Sequence, residues 1–334
     1  MQSYEKPNYL KFDTIEFITK IDYFKREILT FNDSKNPRNG NITGKYYSSK
    51  NDSFKIPFTL NIGVSYTRQS MKIKFSSKIL GDDYPKLITK DTFRQCLENL
   101  NKLGICEIDI DGIMKYCYFK SIHVTTDFPM ELTNEKLNTL NILGNNSMRY
   151  KWQHYETSGI TFNRDVKDED SMDSFKIYNK EKEIDKSENK KFLSQLEDPD
   201  RVKEYFKENN TRFEIVLKDK KIKKYFDIQD THIDNVFNSK TNPILLVFNN
   251  IFGTEELKTD LPRKYSPDEW FMKNTLIMYN HDIKKIKMEL RNCYGSRKID
   301  NRIKKLKELS KRILDESPNN STVLADIRKK LEGQ

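Results

Sequence analysis

Three short stretches carry side chains whose types and spacing suit phosphate chemistry. In KSIHVTTDF (120–128), Ile122, Val124 and Phe128 alternate with His123, Thr125 and Asp127, so a strand places the imidazole and the carboxylate on one face. At the standard rise the two lie about 13 Å apart along a flat strand, too far to chelate one ion without help from neighbouring strands. In FKIYNKEKEI (175–184), Phe175 and Ile177 pack inward, so Lys176, Tyr178 and Lys180 share the opposite face. A phenol is a poor nucleophile at its ordinary pKa of ~10, and a neighbouring cation stabilises both phenolate and a charged phosphoryl transition state. In TRFEIVLK (211–218), Phe213, Ile215 and Leu217 form the apolar face and Arg212 and Glu214 the polar one. Glu214 is then either paired with Arg212 or another cation, or a ligand to a hard divalent ion.

The surrounding elements read as a sheet with helices on it. Residues 1–60 suggest strands interrupted by a mobile, turn-rich loop, NDSKNPRNGNITG (32–44). Met71, Ile73 and Phe75 alternate as a half-buried strand. Thr89 is placed to cap a helix bearing Phe93, Leu97 and Leu100, which Gly104 stops. ICEIDIDGIMKYCYF (105–119) reads as a hairpin turning at Asp111-Gly112, with Cys106 opposite Cys117. That geometry suits two core thiols better than a disulfide. A polar helix is expected around 191–209, partial helix over 222–259 and helix from about 282. There Ile299, Ile303, Leu306, Leu309 and Ile313 form one stripe, and Val323, Ile327 and Leu331 begin another. The expected class is α+β, a largely antiparallel sheet flanked by helices and followed by a basic helical C-terminal segment. Its parts are N-terminal strands (1–60), an α+β body (61–260) and the basic helices (261–334).

Composition limits the function classes. The chain has 334 residues, 36% of them apolar, with 20 Phe and 17 Tyr but only 11 Gly and 10 Pro. That is enough bulk for a core and too little Gly and Pro for a low-complexity chain. No apolar run approaches the ~18 residues of a membrane span, and MQSYEKPNYLKFD resembles neither a signal nor a transit peptide, so a soluble, cytoplasmic protein is expected. Net charge is +10, and residues 271–334 hold 16 Lys/Arg against 8 Asp/Glu. A basic end on a nearly balanced body points to a polyanion, nucleic acid first; Lys284, Lys285, Arg291, Arg297, Lys298, Arg302, Lys304 and Lys305 are the DNA-contact candidates. The bland alternative is a solvated, Lys-rich surface.

In order, FSSKIL (75–80), IHVTTDF (122–128), FKIYNKEKEI (175–184) and TRFEIVLK (211–218) resemble the gene-II-type replication initiation proteins of rolling-circle phages and plasmids, in the HUH-endonuclease-like superfamily. The resemblance spans roughly residues 70–220. It rests on Ser77 and Lys78, Asp127, Tyr178 with Lys180 and Glu183, and Arg212 with Glu214. It implies a site-specific DNA-nicking enzyme that leaves a free 3′-hydroxyl and a covalent 5′-phosphotyrosine. Tyr178 would be the nucleophile and Lys180 the charge stabiliser. His123, Asp127, Glu214 and Glu183 would be the candidate ligands of Mg²⁺ or Mn²⁺, with Glu183 alternatively orienting Lys180. The partners implied are origin DNA, single-stranded or in a hairpin, and a bacterial host's helicase and polymerase. The chain departs from the wider superfamily in lacking a His-x-His motif: its histidines are His123, His154, His232 and His281. Tyr205 and Tyr225, close to lysines in sequence, are rival nucleophiles. A non-catalytic nucleic-acid-binding protein of a mobile element and a phage structural protein are the competing functions.

Overall fold

The computed structural model describes residues 10–51, 55–145, 150–155, 158–164, 173–253, 265–279, 281–295, 299–315 and 318–332. It is an α+β protein with a largely antiparallel sheet, as the sequence pattern predicts. In chain order the strands are β1 (Phe12–Lys20), β2 (Phe24–Glu27), β3 (Asn32–Lys35), β4 (Ile42–Ser48), β5 (Leu60–Ser65), β6 (Ser70–Ser76), β7 (Cys106–Ile108), β8 (Tyr118–Phe128), β9 (Tyr150–Tyr155), β10 (Gly159–Arg164), β11 (Asp173–Asn179) and β12 (Thr211–Lys218). The helices are α1 (Phe93–Lys102), α2 (Ile110–Lys115), α3 (Asn134–Asn145), α4 (Lys180–Ile184), α5 (Ser187–Leu193), α6 (Pro199–Glu208), α7 (Asp219–Phe226), α8 (Ile233–Phe237), α9 (Pro243–Phe252), α10 (Pro267–Met278), α11 (Ile283–Tyr294), α12 (Asp300–Asp315) and α13 (Pro318–Glu332). No helix among the described residues is long and apolar enough to cross a membrane.

The chain divides into two compact units. The first comprises Met1–Met130, Val166–Asp173 and Asn179–Pro243. Its strands run β3-β4-β5-β6-β1-β8-β12, and β2 pairs with β7 beside them. Period-two alternation builds it: Ile122 and Val124 of β8 lie opposite Leu217 and Ile215 of β12 on the apolar face. Below that face Phe12, Phe17, Phe75, Phe93, Phe119 and Phe237 make successive ring contacts with centroids 5.5–6.2 Å apart. The opposite face is roofed by the 3-10 segment Ser77–Lys86 and helices α4 to α6, which bring Tyr84, Leu87, Ile184, Phe192, Leu193, Val202 and Phe206 into one cluster.

The second unit comprises Glu131–Asp165, Ser174–Tyr178 and Ile244–Gln334. Its strands run β11-β10-β9, and Phe162 and Phe175 pack on Phe248 and Phe252 of α9. Leu276, Ile283, Ile286, Ile303, Leu306 and Leu309 of α10, α11 and α12 form a separate helical core. The predicted stripe through Ile299, Ile303, Leu306 and Leu309 is buried, and in α13 Ile327 and Leu331 are buried together with Leu324.

Three local expectations are corrected. The hairpin predicted at 105–119 is absent: Asp109 accepts a hydrogen bond from the Gly112 amide at 2.9 Å and caps α2. Gly112 is there because a Cβ would collide with the Tyr23 ring, so close packing rather than a turn requires it. Cys106 consequently pairs with Glu27 of β2, and Cys96, Cys106, Cys117 and Cys293 are all free thiols. The loop expected over 32–44 is the hairpin β3–β4, turned through Asn36 and Gly40, the latter at φ +70°. The strand expected over 175–184 ends at Asn179, whose side chain accepts from the Lys182 amide and starts α4. Lys180 therefore opens a helix instead of sharing a strand face with Tyr178.

Two stability predictions follow from the packing. A Cβ on Gly44, in β4 between β3 and β5, would press into the Val64 carbonyl, whereas Gly63 has nothing within 4 Å. Gly44→Ala should lose about 1–3 kcal/mol in urea unfolding and Gly63→Ala less than about 0.5 kcal/mol; equal losses would contradict this register. In the second unit, His281 is buried with Nδ1 2.6 Å from the Ser310 hydroxyl, and burial pushes its pKa from 6.5 down to about 4. The unfolded chain takes up this proton near pH 6.5 and the folded one only near pH 4, so stability falls as pH drops across that window. His281→Gln should flatten this part of the melting temperature against pH; an unchanged slope would contradict it.

Candidate functional site

A group of charged side chains lies on the roofed face of the first unit's sheet. At its centre is Arg212 of β12, with 0% exposure. Its Nε and Nη2 donate to Asp127 Oδ1 and Oδ2 at 2.7 and 2.9 Å, directly across the ladder, since Arg212 and Asp127 are register partners. Its Nη1 donates to Asp13 Oδ1 at 2.7 Å and to the Tyr84 hydroxyl at 3.3 Å. Asp13 reaches this face through a bulge: β1 pairs Phe12 with Val124 and Thr14 with His123, leaving Asp13 as the extra residue. Ser77 also donates its hydroxyl to Asp13 Oδ1, at 3.2 Å. Burial alone would raise the Asp13 pKa, but the charges of Arg212 and Lys180 outweigh it and hold the carboxyl below its usual value.

His123 and Glu214 form a second pair, Nδ1 to Oε1 at 3.1 Å. They sit on a diagonal, because Glu214 lies opposite Thr125 and His123 opposite Val216. Glu214 is nearly buried, while His123 keeps 19% of its side chain exposed. In the roof, Lys180 is buried and bonded to Glu183, and its Nζ lies 5.4 Å from the Tyr84 ring and 5.5 Å from that of Phe206. Lys78 donates to Asn189 at 2.5 Å; burial, then the like charge of Lys180, lowers its pKa. Tyr84, central to this packing, is pushed up to about 12 by burial. It is the kind of phenol that stays protonated and donates.

The sequence-predicted residues are thus distributed as follows. His123 meets Glu214, Asp127 meets Arg212, and Lys180 meets Glu183. His123 and Asp127, on one face of β8, have separate partners, and both Asp127 oxygens are engaged by Arg212. Arg212 pairs with Asp127 and Asp13, the neighbours its guanidinium reaches. Tyr178 is half-buried and closes the second unit's part of β11, opposite Gly159. Tyr205, on α6 in the first unit, is partly buried and packs against the roof cluster. Its pKa rises to about 12 through burial and then the charge of Asp127. Tyr225 is buried. Asp13 and Tyr84 are the site residues that sequence reasoning missed; the signal for Asp13 was the break in alternation between Phe12, Ile15 and Phe17.

Of the DNA-contact candidates, Lys285, Arg291, Arg302, Lys304 and Lys305 are exposed and Lys284 is half-buried. Arg297 and Lys298 lie outside the described residues. No known family model matches the chain and no curated protein matches it.

Among the described residues no three His, Cys, Asp or Glu side chains are grouped to hold a metal ion. His123 and Glu214 are nevertheless adjacent donors, and Asp13 lies close enough to feel both charges. One or two carboxylates suffice for a hard divalent ion that keeps waters and a phosphate oxygen as its other ligands, and Glu214 and Asp13 are the carboxylates nearest His123.

The ion pairs set a stability prediction. Asp127→Ala leaves a fully buried guanidinium short of its bidentate partner and should cost about 3–5 kcal/mol. Asp127→Leu combined with Arg212→Met should be more stable than Asp127→Ala alone in urea unfolding. A single variant as stable as the parent would contradict the network.

Proposed function

We propose that the chain is a replication initiator that nicks and rejoins one strand of origin DNA through a tyrosine, beginning rolling-circle replication of a phage or plasmid. One observation supports this most: Arg212, Asp13, Asp127 and Glu214 on one sheet face meet Lys180 and Glu183 of α4 above it, and Arg212, Asp127, Glu214 and Lys180 are removed from water. Charges kept at that cost of desolvation are arranged where charge must be handled. In the reaction a phenol oxygen attacks the scissile phosphorus, the bond to the 3′ oxygen breaks, and that oxygen leaves as the 3′-hydroxyl. Lys180 and Arg212 supply fixed positive potential to phosphate oxygens, and Tyr84 and Asp13 hold Arg212 in place. His123 and Glu214 would hold Mg²⁺ or Mn²⁺, which when bound supplies polarisation of the phosphate. The family resemblance implies Tyr178 as the nucleophile, and Tyr205 is the rival within the first unit.

The exposed cations of α11 and α12 supply the phosphate contacts. In α12 Ile303, Leu306 and Leu309 turn inward and Arg302, Lys304, Lys305, Lys307 and Lys311 outward, a stripe suited to tracking a DNA backbone. A non-catalytic nucleic-acid-binding protein is the second reading, favoured by the engagement of Asp127 with Arg212 in place of a metal.

The deciding assay uses supercoiled DNA carrying the element's own origin, with Mn²⁺. The expected products are open circles and a protein band shifted by attached DNA. Tyr178→Phe should abolish both and keep binding, and binding should weaken steeply with salt. Nicking that survives in Tyr178→Phe and is lost in Tyr205→Phe moves the nucleophile to α6. Binding without nicking by the unaltered protein establishes the second reading instead.

A further inference from the structure

Helix α11 is apolar on one side and basic on the other. Ile283 and Ile286 are buried, and Leu290 packs with them in the core shared with α10 and α12. At 3.6 residues per turn, the direction opposite these three belongs to Lys284, Lys285, Met288, Arg291 and Asn292. All but the half-buried Lys284 are exposed. Glu289, the one acid of this helix, lies about a quarter-turn from the middle of that face. On α12, by contrast, the exposed Glu308 stands between Lys304 and Lys311. The support beneath α11 is fixed. The His281 amide donates to the Leu276 carbonyl at 2.7 Å, Asp282 accepts from the Lys285 amide at 2.9 Å and caps the helix, and the His281 ring is bonded to Ser310 of α12 at 2.6 Å.

We propose that α11 reads sequence in the major groove of duplex DNA, with Arg291, Asn292 and Met288 toward the base edges and Lys284 and Lys285 toward a phosphate strand. The inference rests on the chain being a DNA-binding protein, which the nicking and the non-catalytic readings share, and goes beyond both by assigning base contacts. The three residue types match three base edges: arginine pairs with guanine O6 and N7, asparagine with adenine N6 and N7, and an apolar side chain meets the thymine methyl. Backbone contacts such as those of α12 position a protein without conveying sequence. A helix with its side chains is about 10–12 Å across, the width of the major groove at about 12 Å. Lys285 precedes Arg291 and Asn292 by roughly 10 Å along the axis, so the lysine reaches a groove wall while the other two meet its floor. Among the described residues neither Arg291 nor Asn292 has a side-chain hydrogen-bond or ion-pair partner, which leaves their donors uncommitted within the protein. A single strand fits this face less well, because stacking platforms present aromatic rings and none of its five residues is aromatic.

The test uses the full chain, no divalent metal, and a pool of linear duplexes with a randomised centre. It is independent of nicking: a failure here leaves the nicking assay as it stands, and an absence of nicking leaves this inference standing. Repeated selection should enrich a short common sequence. Arg291→Lys and Asn292→Ala should each erase the preference at one base position, by about tenfold, with circular dichroism melts like those of the parent. Lys304→Ala should instead weaken selected and unselected duplexes alike and lower the salt dependence. Replacing guanine by 7-deazaguanine in the selected duplex removes the N7 acceptor and should weaken binding of the unaltered chain, a measurement that needs no variant to fold. A pool with no enrichment, an enriched sequence that Arg291→Lys and Asn292→Ala read as the parent does, or tighter binding of that sequence as a single strand would overturn the proposal.

Discussion

The guanidinium of Arg212 is the constraint around which the first unit is organised. A side chain that is permanently charged and wholly removed from water is tolerated only with anions and acceptors fixed around it. The fold supplies them from separate places in the sequence. Asp127 comes from the register partner on β8, Asp13 from a bulge in β1, and a phenol from the 3-10 segment after β6. The roof of α4, α5 and α6 excludes solvent above them. Packing of this kind does little for net stability, since apolar residues of similar volume often do as well.

That expense makes sense if the charges are used. Lys180 and Lys78 extend the positive potential from Arg212 into the roof, while Asp13, Glu183 and Glu214 counter it from below and beside. His123, Asp13 and Glu183 keep some access to solvent, with 19%, 18% and 29% of their side chains exposed. Asp127, which the family resemblance nominates as a ligand, has both carboxylate oxygens bonded to Arg212.

Much of this was legible in the sequence, for a simple reason. Alternation in β8 and β12 sorts side chains onto faces without reference to the rest of the chain, so the polar set of His123, Asp127, Arg212 and Glu214 emerges directly. The α12 stripe is legible in the same way at helical period. What alternation cannot convey is which polar residue meets which: that depends on the register between β8 and β12, ninety residues apart in sequence, where Asp127 faces Arg212 and His123 finds Glu214 on the diagonal. Asp13 was hidden because a bulge breaks period two at the residue that matters. The Asp111-Gly112 signal failed because a local turn preference lost to the Asp109 cap and to the Tyr23 ring packed against Gly112. Lys180 was misplaced by one cap, Asn179, which turns a strand into a helix within a single residue.

The central claim is that the imidazole–carboxylate pair on the roofed sheet face is where a divalent ion and a phosphate are handled. Paramagnetic broadening by Mn²⁺ tests this directly in protein labelled at its four histidines. The account predicts that the His123 ring signals broaden first, at substoichiometric Mn²⁺, ahead of those of His232 and His281, and that Glu214→Gln weakens the effect. Uniform broadening of all histidines, or an unaffected His123, would contradict it.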